Sequence, residues 1–486
     1  MNESTLVTKV WNYASVLAQS GVGYTDYVSQ LTYLLFLKMD EERTNLLSEN
    51  SLIPEDCQWK NLLSLAGSEL SEKYQKILET LSRQTGIIGT IYHKASNKIS
   101  NPANLSRLIS LINGETWMGL DVDVKGGIYE GLLEKNAQES KAGAGQYFTP
   151  RPLIRAMVQV MKPTPEMTVC DPACGTGGFL LAAYDYMRAQ TNDREKIRDL
   201  RENKFFGTDI TPLIVSLCAM NMYLHGIGGN TSPVKEADSL MSAGTMRYDM
   251  VLANPPFGKK GGLKVMGEDG SVSVEKEDYN RDDFIATTSN KQINFLQHIM
   301  TILKTNGRAA VVVPDNVLFE GGAGEKVRKR LLNEFDLHTI LRLPTGIFYA
   351  QGVKANVLFF DKYPPLENGH RTKDIWIYDY RTNVNLTLVT NSLNDEHLKD
   401  FVKCYQADDR SKRVESERFK KFTYDEVITR DKTNLDITWL KDESLEDLEN
   451  LPEPKVLAES IVSGLEEAIE AFKKVKDLIQ EESNNE

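Results

Sequence analysis

Residues 167–187 read MTVCDPACGTGGFLLAAYDYM, which is a short apolar run, a glycine-rich turn and then an apolar helical segment. A strand that ends in such a turn before a helix lets a ligand approach the backbone and offers free N–H groups at the helix N-terminus. The glycine spacing is G-x-G-G rather than G-x-G-x-x-G, so a dinucleotide-binding fingerprint fits poorly. The stretch predicts the first strand and a ligand-binding turn of an α/β fold; a plain turn is the alternative for this string alone.

Short apolar runs alternate with amphipathic segments from residue 146 to residue 380. We predict buried strands in six of these runs, with helices between them: MTVCDP, NKFFGTDI, YDMVLANPPF, GRAAVVVPD, HTILRLP and KANVLFFDK. This alternation favours a mostly parallel sheet with crossover helices. Residues 259–283 interrupt it with a glycine-rich, charged stretch, which we interpret as a long mobile loop.

Helical patterns flank the alternating region on both sides. Residues 1–135 have apolar side chains at helix spacing, most clearly from Tyr27 to Met39. Near the end of the chain, a 4-3-4-3-4 spacing predicts an amphipathic helix with a heptad seam formed by Ile461, Leu465, Ala468, Phe472, Val475 and Ile479. We predict a helical N-terminal domain at 1–140, an α/β domain at 141–385, a mixed extension at 386–450 and an acidic helical tail at 451–486.

The composition is that of an ordinary globular protein: 486 residues, 41% hydrophobic and 26% charged. The formal net charge of −12 is unevenly spread, because residues 442–486 alone carry 14 acidic and 4 basic side chains. The rest of the chain is therefore nearly neutral. A nearly neutral body binds DNA only through local basic surface, so a partner would have to supply much of the phosphate contact.

Five cysteines are too few and too scattered for a disulfide framework, and they favour a reducing compartment. We find no His/Cys cluster with metal-ligand spacing and predict no metal site. The longest apolar runs fall short of the roughly 18–20 residues that span a bilayer. Residues 1–13 lack the pattern of a signal peptide, so we expect a cytoplasmic protein without membrane association.

Two acidic residues follow later apolar runs. Asp209 ends the second predicted strand, where a carboxylate can accept hydrogen bonds from both hydroxyls of a ribose. Asp238 comes at the end of the next predicted strand–helix unit. Alone, Asp238 would more often be a helix cap or a turn residue.

The sequence Asn254-Pro255-Pro256-Phe257 follows the predicted strand YDMVLA. Two prolines fix the backbone and remove two N–H donors, which leaves the Asn254 side-chain oxygen and the Pro255 carbonyl as acceptors. Two acceptors suit an amino group with two hydrogens to donate, and Phe257 offers a flat face to the ring that carries the amine. A rigid loop after a strand is the alternative for this motif in isolation.

Together, these motifs resemble those of S-adenosylmethionine-dependent amino-methyltransferases that act on DNA. Their order, with GQYFTPR at 145–151 before the glycine turn, Asp209, Asp238 and NPPF, is similar to the gamma group of adenine-N6 methyltransferases. More closely, nearly the whole chain resembles the modification (M) subunit of type I restriction-modification systems. The resemblance implies a Rossmann-like methyltransferase domain with a mostly parallel sheet, preceded by an all-helical domain and followed by a helical tail.

The resemblance also implies a role for each matching residue. Asn254 and Pro255 would hold the target adenine N6 amine, in a motif completed by Pro256 and Phe257, with Phe257 stacked on the flipped base. Phe348 is the candidate for a second stacking aromatic, and a core position is its alternative. The resemblance further implies contact between Thr149 and the carboxylate of S-adenosylmethionine. The implied S-adenosylmethionine-binding residues are Gln146, Tyr147, Phe148 and Thr149 at the methionine end, Asp171, Ala173, Gly175, Thr176, Gly177 and Gly178 in the turn, and Asp209, Ile210, Asp238 and Ser239 around the ribose and adenine.

The implied reaction needs the target base to leave the duplex, which costs a few kcal/mol. Lys259, Lys260 and Lys264 follow NPPF closely and are candidates for contact with DNA phosphates. A second basic cluster, Lys326, Arg328, Lys329 and Arg330, is either a phosphate-binding surface or a solvated helix face.

The resemblance implies three partners: double-stranded DNA, a specificity subunit shared by two modification subunits, and a restriction (nuclease) subunit. The heptad seam at 461–479 is a plausible docking helix for the specificity subunit, and packing on its own chain is the alternative. The implied activity is that of a site-specific, adenine-specific DNA methyltransferase. Two other functions remain open: a protein-glutamine methyltransferase, which would use the same acceptor pair, and a scaffold without catalysis.

Overall fold

A computed structural model describes residues 9–13, 24–48, 50–117, 131, 148–257, 262–266, 272–276, 279–348, 353–387 and 391–441. The chain forms two compact units, one of Met1–Tyr380 with Asn385–Thr438 and one of Arg381–Val384 with Trp439–Glu486. In the second unit, the Asn383 Nδ2 donates to the Lys441 carbonyl at 3.0 Å. All the elements below belong to the first unit. The predicted tail helix lies outside the described residues, and the four domain boundaries stay a prediction.

Four helices form the N-terminal part of the first unit: α1 (Tyr24–Leu47), α2 (Gly67–Ser82), α3 (Gly86–Ile91) and α4 (Pro102–Asn113). The apolar positions predicted to face the core of α1 are buried: Tyr27, Leu31, Leu34, Leu35 and Met39. The Asn101 side chain caps α4 by accepting from the Ala103 N–H, and Pro102 occupies the first turn, where its missing N–H costs nothing. The predicted helical N-terminal region is confirmed.

Nine strands follow and share one sheet: β1 (Val169–Asp171), β2 (Phe205–Asp209), β3 (Val234–Glu236), β4 (Tyr248–Ala253), β7 (Leu303–Pro314), β8 (Phe335–Arg342), β9 (Ala355–Lys362), β10 (Asp374–Asp379) and β11 (Phe419–Thr423). Their order is β11-β10-β8-β9-β7-β4-β1-β2-β3. Strand β9 is antiparallel to β7 and β8, and β11 is antiparallel to β10. The remaining pairs are parallel, so the predicted mostly parallel sheet is confirmed.

All six predicted strands exist, and the sheet contains three more that were not predicted. Strand β3 has three residues, of which only Val234 is buried. Strand β11 is an edge strand with alternating exposure, and it comes from the stretch predicted to be a mixed extension. Strands β3 and β11 lack a continuous apolar run, because only one face packs on the core. Strand β10 has such a run at residues 375–378, and the prediction omitted it.

Helices cover the sheet: α5 (Arg151–Met161), α6 (Gly178–Arg188), α7 (Arg194–Asn203), α8 (Pro212–Leu224), α9 (Lys291–Ile302), α10 (Asn316–Phe319), α11 (Ala323–Glu334), α12 (Asp395–Tyr405) and α13 (Tyr424–Ile428). Helix α8 is buried at every position from Ile214 to Leu224, because it packs against β2 and β3 and against the N-terminal helices. The Tyr223 hydroxyl donates to Asp40 at 2.7 Å, and the Ser216 hydroxyl donates to the Ile91 carbonyl at 2.6 Å. These bonds join the N-terminal helices to the sheet.

The interpretation of residues 259–283 as a loop is wrong in part. Two strands, β5 (Gly262–Met266) and β6 (Val272–Lys276), pair as an antiparallel hairpin. The two valines of β6, Val272 and Val274, suit a strand. After the hairpin, Tyr279 is buried at the edge of the candidate site described below.

The second basic cluster is not a continuous cationic surface. Arg328 is only 1% exposed, and its guanidinium donates to the carbonyls of Val317, Glu320, Lys432 and Thr433 at 2.7–3.0 Å. Burial lowers the pKa of Arg328 to about 10. Lys329 and Arg330 pair with glutamates one turn away on the same helix. Arg328 therefore holds residues 432–433 against α10 and α11 and cannot contact a phosphate. Within the described ranges, no helix is both long enough and apolar enough to cross a membrane.

We expect Arg328→Met to lower the free energy of unfolding by about 3 kcal/mol or more, because four buried carbonyls lose their donor. Lys329→Met on the same helix is the matched control, with an expected change within about 0.5 kcal/mol. Denaturant unfolding of both variants measures the difference. Equal, small losses for the two variants would contradict the structural role of Arg328.

Candidate active site

Three parallel strands bring polar side chains to one edge of the sheet. Asp171 ends β1, Asp209 ends β2, and Asn254 directly follows β4. A cavity of about 320 Å³ opens at this edge. The predicted site residues that line it are Phe148, Ala173, Gly175, Thr176, Asp209, Ile210, Asp238, Ser239, Asn254, Pro255 and Pro256. Ligands of open α/β sheets bind at the carboxyl ends of the strands, and the cavity has that position.

The glycines of the turn have two different roles: one leaves space for a ligand, and two allow close packing. Gly175 has a φ of +53°, and no described atom lies within 4 Å of the place where a Cβ would stand, so the backbone is open to a ligand. Gly177 has a φ of +87°, and a Cβ there would approach the Cys218 Sγ to 2.9 Å. A Cβ on Gly178 would approach the Ile154 side chain to 3.0 Å. These two glycines therefore allow the close packing at the start of α6.

Asp171 is 2% exposed and accepts a hydrogen bond from the Ala173 N–H at 3.0 Å. Burial raises the pKa of Asp171 to about 8, and the nearby Asp209 carboxylate adds to the shift. A carboxylate held out of water by the fold is costly to ionise. A cationic group of a bound ligand would favour the charged form of Asp171. Carboxylates with a strongly shifted pKa are often found at functional sites.

The other two acids hold the turns around them. The Asp209 carboxylate accepts from the Gly175 N–H at 3.3 Å and from the Thr211 N–H at 3.0 Å, while burial raises its pKa. The Asp238 carboxylate accepts from the Leu240 N–H at 2.8 Å and from the Tyr279 hydroxyl at 3.0 Å. Both side chains are therefore fixed in place at the cavity wall.

The Asn254 amide is held by the segment that precedes α5. Its Nδ2 donates to the Thr149 Oγ1 at 2.9 Å, although 105 residues separate the two in sequence. Pro255 is buried and Pro256 is exposed, and both line the cavity. The hydrogen bond and the two prolines fix the position of this amide at the end of β4.

Two aromatic rings predicted to face the target base lie together. The rings of Phe257 and Phe348 are 5.9 Å apart at 73°, an edge-to-face pair. Phe348 is 2% exposed, so its ring is covered in this conformation, in agreement with the core position weighed from the sequence. Phe257 is half-buried and lies next to the amide-bearing strand end.

The sequence did not indicate a second wall of the cavity. Leu240, Tyr279 and Phe295 form a small buried cluster against Ala173 and Phe284. Arg281 holds this wall by donating to the carbonyls of Ser239 and Leu240 at 3.3 and 3.1 Å. Tyr279 follows the hairpin and Phe295 lies on α9, so only the fold brings them to the site. For Tyr279, the signal in the sequence was an aromatic residue within a charged stretch.

Some predicted site residues that the structure places do not line the large cavity: Thr149, Asp171, Gly177, Gly178, Phe257 and Phe348. Others cannot be placed. Gln146, Tyr147, Lys259 and Lys260 lie outside the described residues, and for Lys264 only the backbone in β5 is described. Ile210 lines the cavity with 62% of its surface exposed, so it has an open face rather than a core position. Among the residues that the structure places, no group of three or more His, Cys, Asp or Glu side chains could hold a metal ion. The prediction of no metal stays a prediction.

The sequence matches two protein families. Residues 6–112 match the HsdM N-terminal domain, and residues 120–446 match the N-6 DNA methylase family. This chain belongs to the N-6 DNA methylases. It is 39% identical to the type I restriction enzyme EcoKI methylase subunit of Escherichia coli K12, over 96% of this chain and 94% of that protein. It is therefore a type I modification subunit and an adenine-specific DNA methyltransferase.

Solved structures agree with this assignment. The EcoKI M protein has a TM-score of 0.52 at 33% identity, over 96% of this chain and 94% of that one. A modification subunit of a putative type I enzyme from Vibrio vulnificus has a TM-score of 0.72 at 26% identity, over 92% and 99%. A chain from a study of type I assembly and conformational transition has a TM-score of 0.67 at 26% identity, over 99% of both. The match to DNA methylases argues against the protein-glutamine alternative.

We expect Asp171→Asn to raise the thermal unfolding midpoint of the ligand-free modification subunit. The folded-state pKa of about 8 lies above the ordinary value of 3.8. Between pH 4 and pH 8 the unfolded chain has lost this proton and the folded chain keeps it, so the destabilisation caused by Asp171 grows as the pH rises. The midpoint difference between the variant and the wild type should therefore widen from pH 6 to pH 8.5. Differential scanning calorimetry at both pH values measures it. Asp282→Asn, at an exposed position, is the control and should show no widening; a constant difference for Asp171→Asn would contradict the raised pKa.

Proposed function

We propose that this modification subunit transfers the methyl group of S-adenosylmethionine to adenine N6 in DNA, at a base flipped into the NPPF site. The observation that carries the proposal is that Asn254 and the glycine turn open onto one cavity. The first supplies an acceptor for an amine, and the second supplies an open backbone for a ligand. Sequence specificity would come from a separate subunit of the complex.

The residues around the cavity suit S-adenosylmethionine. Gly175 leaves space where a Cβ would stand, buried Asp171 calls for a cationic partner, and the cofactor carries an ammonium group. Asp209 and Asp238 would take the ribose hydroxyls and the adenine amine, while Ile210 and the cluster of Leu240, Tyr279 and Phe295 offer apolar surface. The bound cofactor supplies an electrophilic methyl group.

The NPPF motif suits an exocyclic adenine amine. The lone pair of this nitrogen is delocalised into the ring, which makes it a poor nucleophile. The Asn254 side-chain oxygen and the Pro255 carbonyl would accept its two hydrogens and favour a more tetrahedral nitrogen. Positioning and fixed dipoles then supply most of the acceleration, and no covalent intermediate with the protein is needed.

A flipped base needs stacking partners to offset its loss of pairing. Base–aromatic stacking contributes about 1–3 kcal/mol per base. Phe257 lies beside Asn254 in the chain, and its ring contacts Phe348 edge-on. We propose that Phe257 stacks on the target base. Phe348 would then support the ring of Phe257, and it stacks on the base only if it leaves its buried position.

The partners proposed for this subunit are double-stranded DNA, a specificity subunit shared by two modification subunits, and a restriction subunit. The relatives named above are methylase subunits of type I restriction enzymes, which supports an assembly of this kind. Lys259, Lys260 and Lys264 remain candidates for phosphate contact because they follow NPPF closely. We propose that the complex acts in the cytoplasm.

We expect Asn254→Ala to lower methyl transfer by about 100-fold or more in the complex reconstituted with its specificity subunit, because the amine loses an acceptor. Asn203→Ala, which removes an exposed amide at the end of α7, should leave the rate within about twofold. Transfer of tritiated methyl to cognate DNA gives the rate, and long-read sequencing of genomic DNA with and without the gene identifies the methylated base. Full activity of Asn254→Ala would overturn the proposed role of NPPF.

The acidic tail offers a test of assembly. If the seam at 461–479 docks on the specificity subunit, Leu465→Asp should abolish co-purification of the two subunits, since a charge enters the apolar seam. Glu470→Gln, off the seam, is the matched control and should leave co-purification unchanged. Retained binding by Leu465→Asp and by a chain ending at residue 451 would refute the docking role.

A further inference from the structure

Thr149 lies between the two halves of the candidate site. It lies two residues before the start of α5, within the GQYFTPR motif. Its side chain lines a small cavity of about 60 Å³, together with Phe148, Asp171, Gly175, Thr176 and Asn254. Several of these residues also line the large cavity, so the small one adjoins it.

The hydrogen-bonding capacity of Thr149 makes its position informative. A hydroxyl has one hydrogen to donate and two lone pairs that accept. Here Oγ1 accepts from the Asn254 Nδ2 at 2.9 Å, which spends a lone pair and not the hydrogen. The same hydroxyl can therefore donate to an anionic oxygen in the small cavity while it holds Asn254.

The amide of Asn254 can face a hydroxyl in two ways. With Nδ2 toward Thr149, the hydroxyl accepts; with Oδ1 toward Thr149, the hydroxyl donates. Only the first orientation turns the Asn254 oxygen away from Thr149, where it can serve as an acceptor for an amine. A hydroxyl whose hydrogen is already donated elsewhere cannot donate to Oδ1, so it selects the first orientation.

We propose that Thr149 is a positioning residue that couples the carboxylate end of the bound methyl donor to the orientation of the Asn254 amide. The inference rests on the proposed function of the site. When the Thr149 hydroxyl donates to the carboxylate, Asn254 is fixed with its oxygen available to the target amine. Without the carboxylate, both amide orientations are open, and the target amine is held less well. By linkage, the adenine amine strengthens cofactor binding by the same factor.

Binding measurements test the coupling without turnover. The complex with its specificity subunit is titrated with cognate duplex, with and without saturating S-adenosylhomocysteine, which keeps the carboxylate but has no methyl to transfer. The target position carries either adenine or purine, which lacks the N6 amine. In the wild type, S-adenosylhomocysteine should lower the Kd of the adenine duplex about 5-fold or more beyond its effect on the Kd of the purine duplex. In Thr149→Val, S-adenosylhomocysteine should change the Kd of the two duplexes by the same factor. Thr149→Ser should restore the larger effect on the adenine duplex.

Kinetics provide an independent readout at saturating S-adenosylmethionine. We expect Thr149→Val to lower kcat by about 10- to 100-fold, because a misplaced acceptor costs rate even when the cofactor is fully bound. Thr149→Ser should stay within about 3-fold of the wild type. Thr149→Ala serves as a second hydroxyl-free variant if Thr149→Val unfolds at a lower temperature than the wild type.

The outcomes separate this inference from the proposed function. If Thr149→Val raises only the KM for S-adenosylmethionine, with an unchanged kcat and an unchanged difference between the duplexes, Thr149 serves the cofactor alone and the coupling is overturned. If Asn254→Ala keeps full activity and the full difference between adenine and purine, the proposed function of NPPF itself fails. Loss of the difference in Thr149→Val and Thr149→Ala, with recovery in Thr149→Ser, supports the coupling.

Discussion

The parallel pairing of β1 with its two neighbours is the constraint on which the site depends. Val169 is in register with Phe205 of β2 and with Met250 of β4, so the three strands end side by side. Asp171, Asp209 and Asn254 consequently emerge at one edge. A shift of one residue in any strand would reverse its faces and turn the polar end group away. The buried side chains of these strands oppose such a shift, because it would exchange the side chains that pack on each covered face of the sheet.

The sequence was informative for most strands with continuous burial, and β10 is the exception. Strands such as β7 and β9 are buried along most of their length, so their apolar runs were visible directly. Burial of one face gives no such run, which is why β3 and β11 were missed. The hairpin of β5 and β6 was read as a loop because its stretch of sequence is rich in glycine and charge. The antiparallel insertion of β9 between β7 and β8 depends on how the connections cross the sheet, and no local pattern encodes it. In the site, Asp171, Asp209 and Asn254 were predictable because each ends or follows a strand. Tyr279 and Phe295 reach the cavity only through the fold.

Polar groups of the site serve the protein and the proposed ligands at the same time. Asp209 accepts from the Gly175 N–H, so the acid proposed to take the ribose also shapes the turn beside it. Asp238 is held by the Tyr279 hydroxyl in the same manner. Such bonds fix acceptors before any ligand arrives, which reduces the ordering that binding requires. The burial of Asp171 has the opposite effect on the ligand-free fold, since a carboxylate out of water is unfavourable until a cation meets it.

Helix α8 packs against both the N-terminal helices and the sheet. From Ile214 to Leu224 it is enclosed, with the N-terminal helices on one side and the sheet on the other. A catalytic domain cut free of α1 and α3 would present this helix to water as an apolar stripe, next to the strand end that carries Asp209. A protein fragment that begins after the N-terminal helices should therefore fold poorly and aggregate. The N-terminal helices and the sheet therefore have to be present together for this helix to be covered.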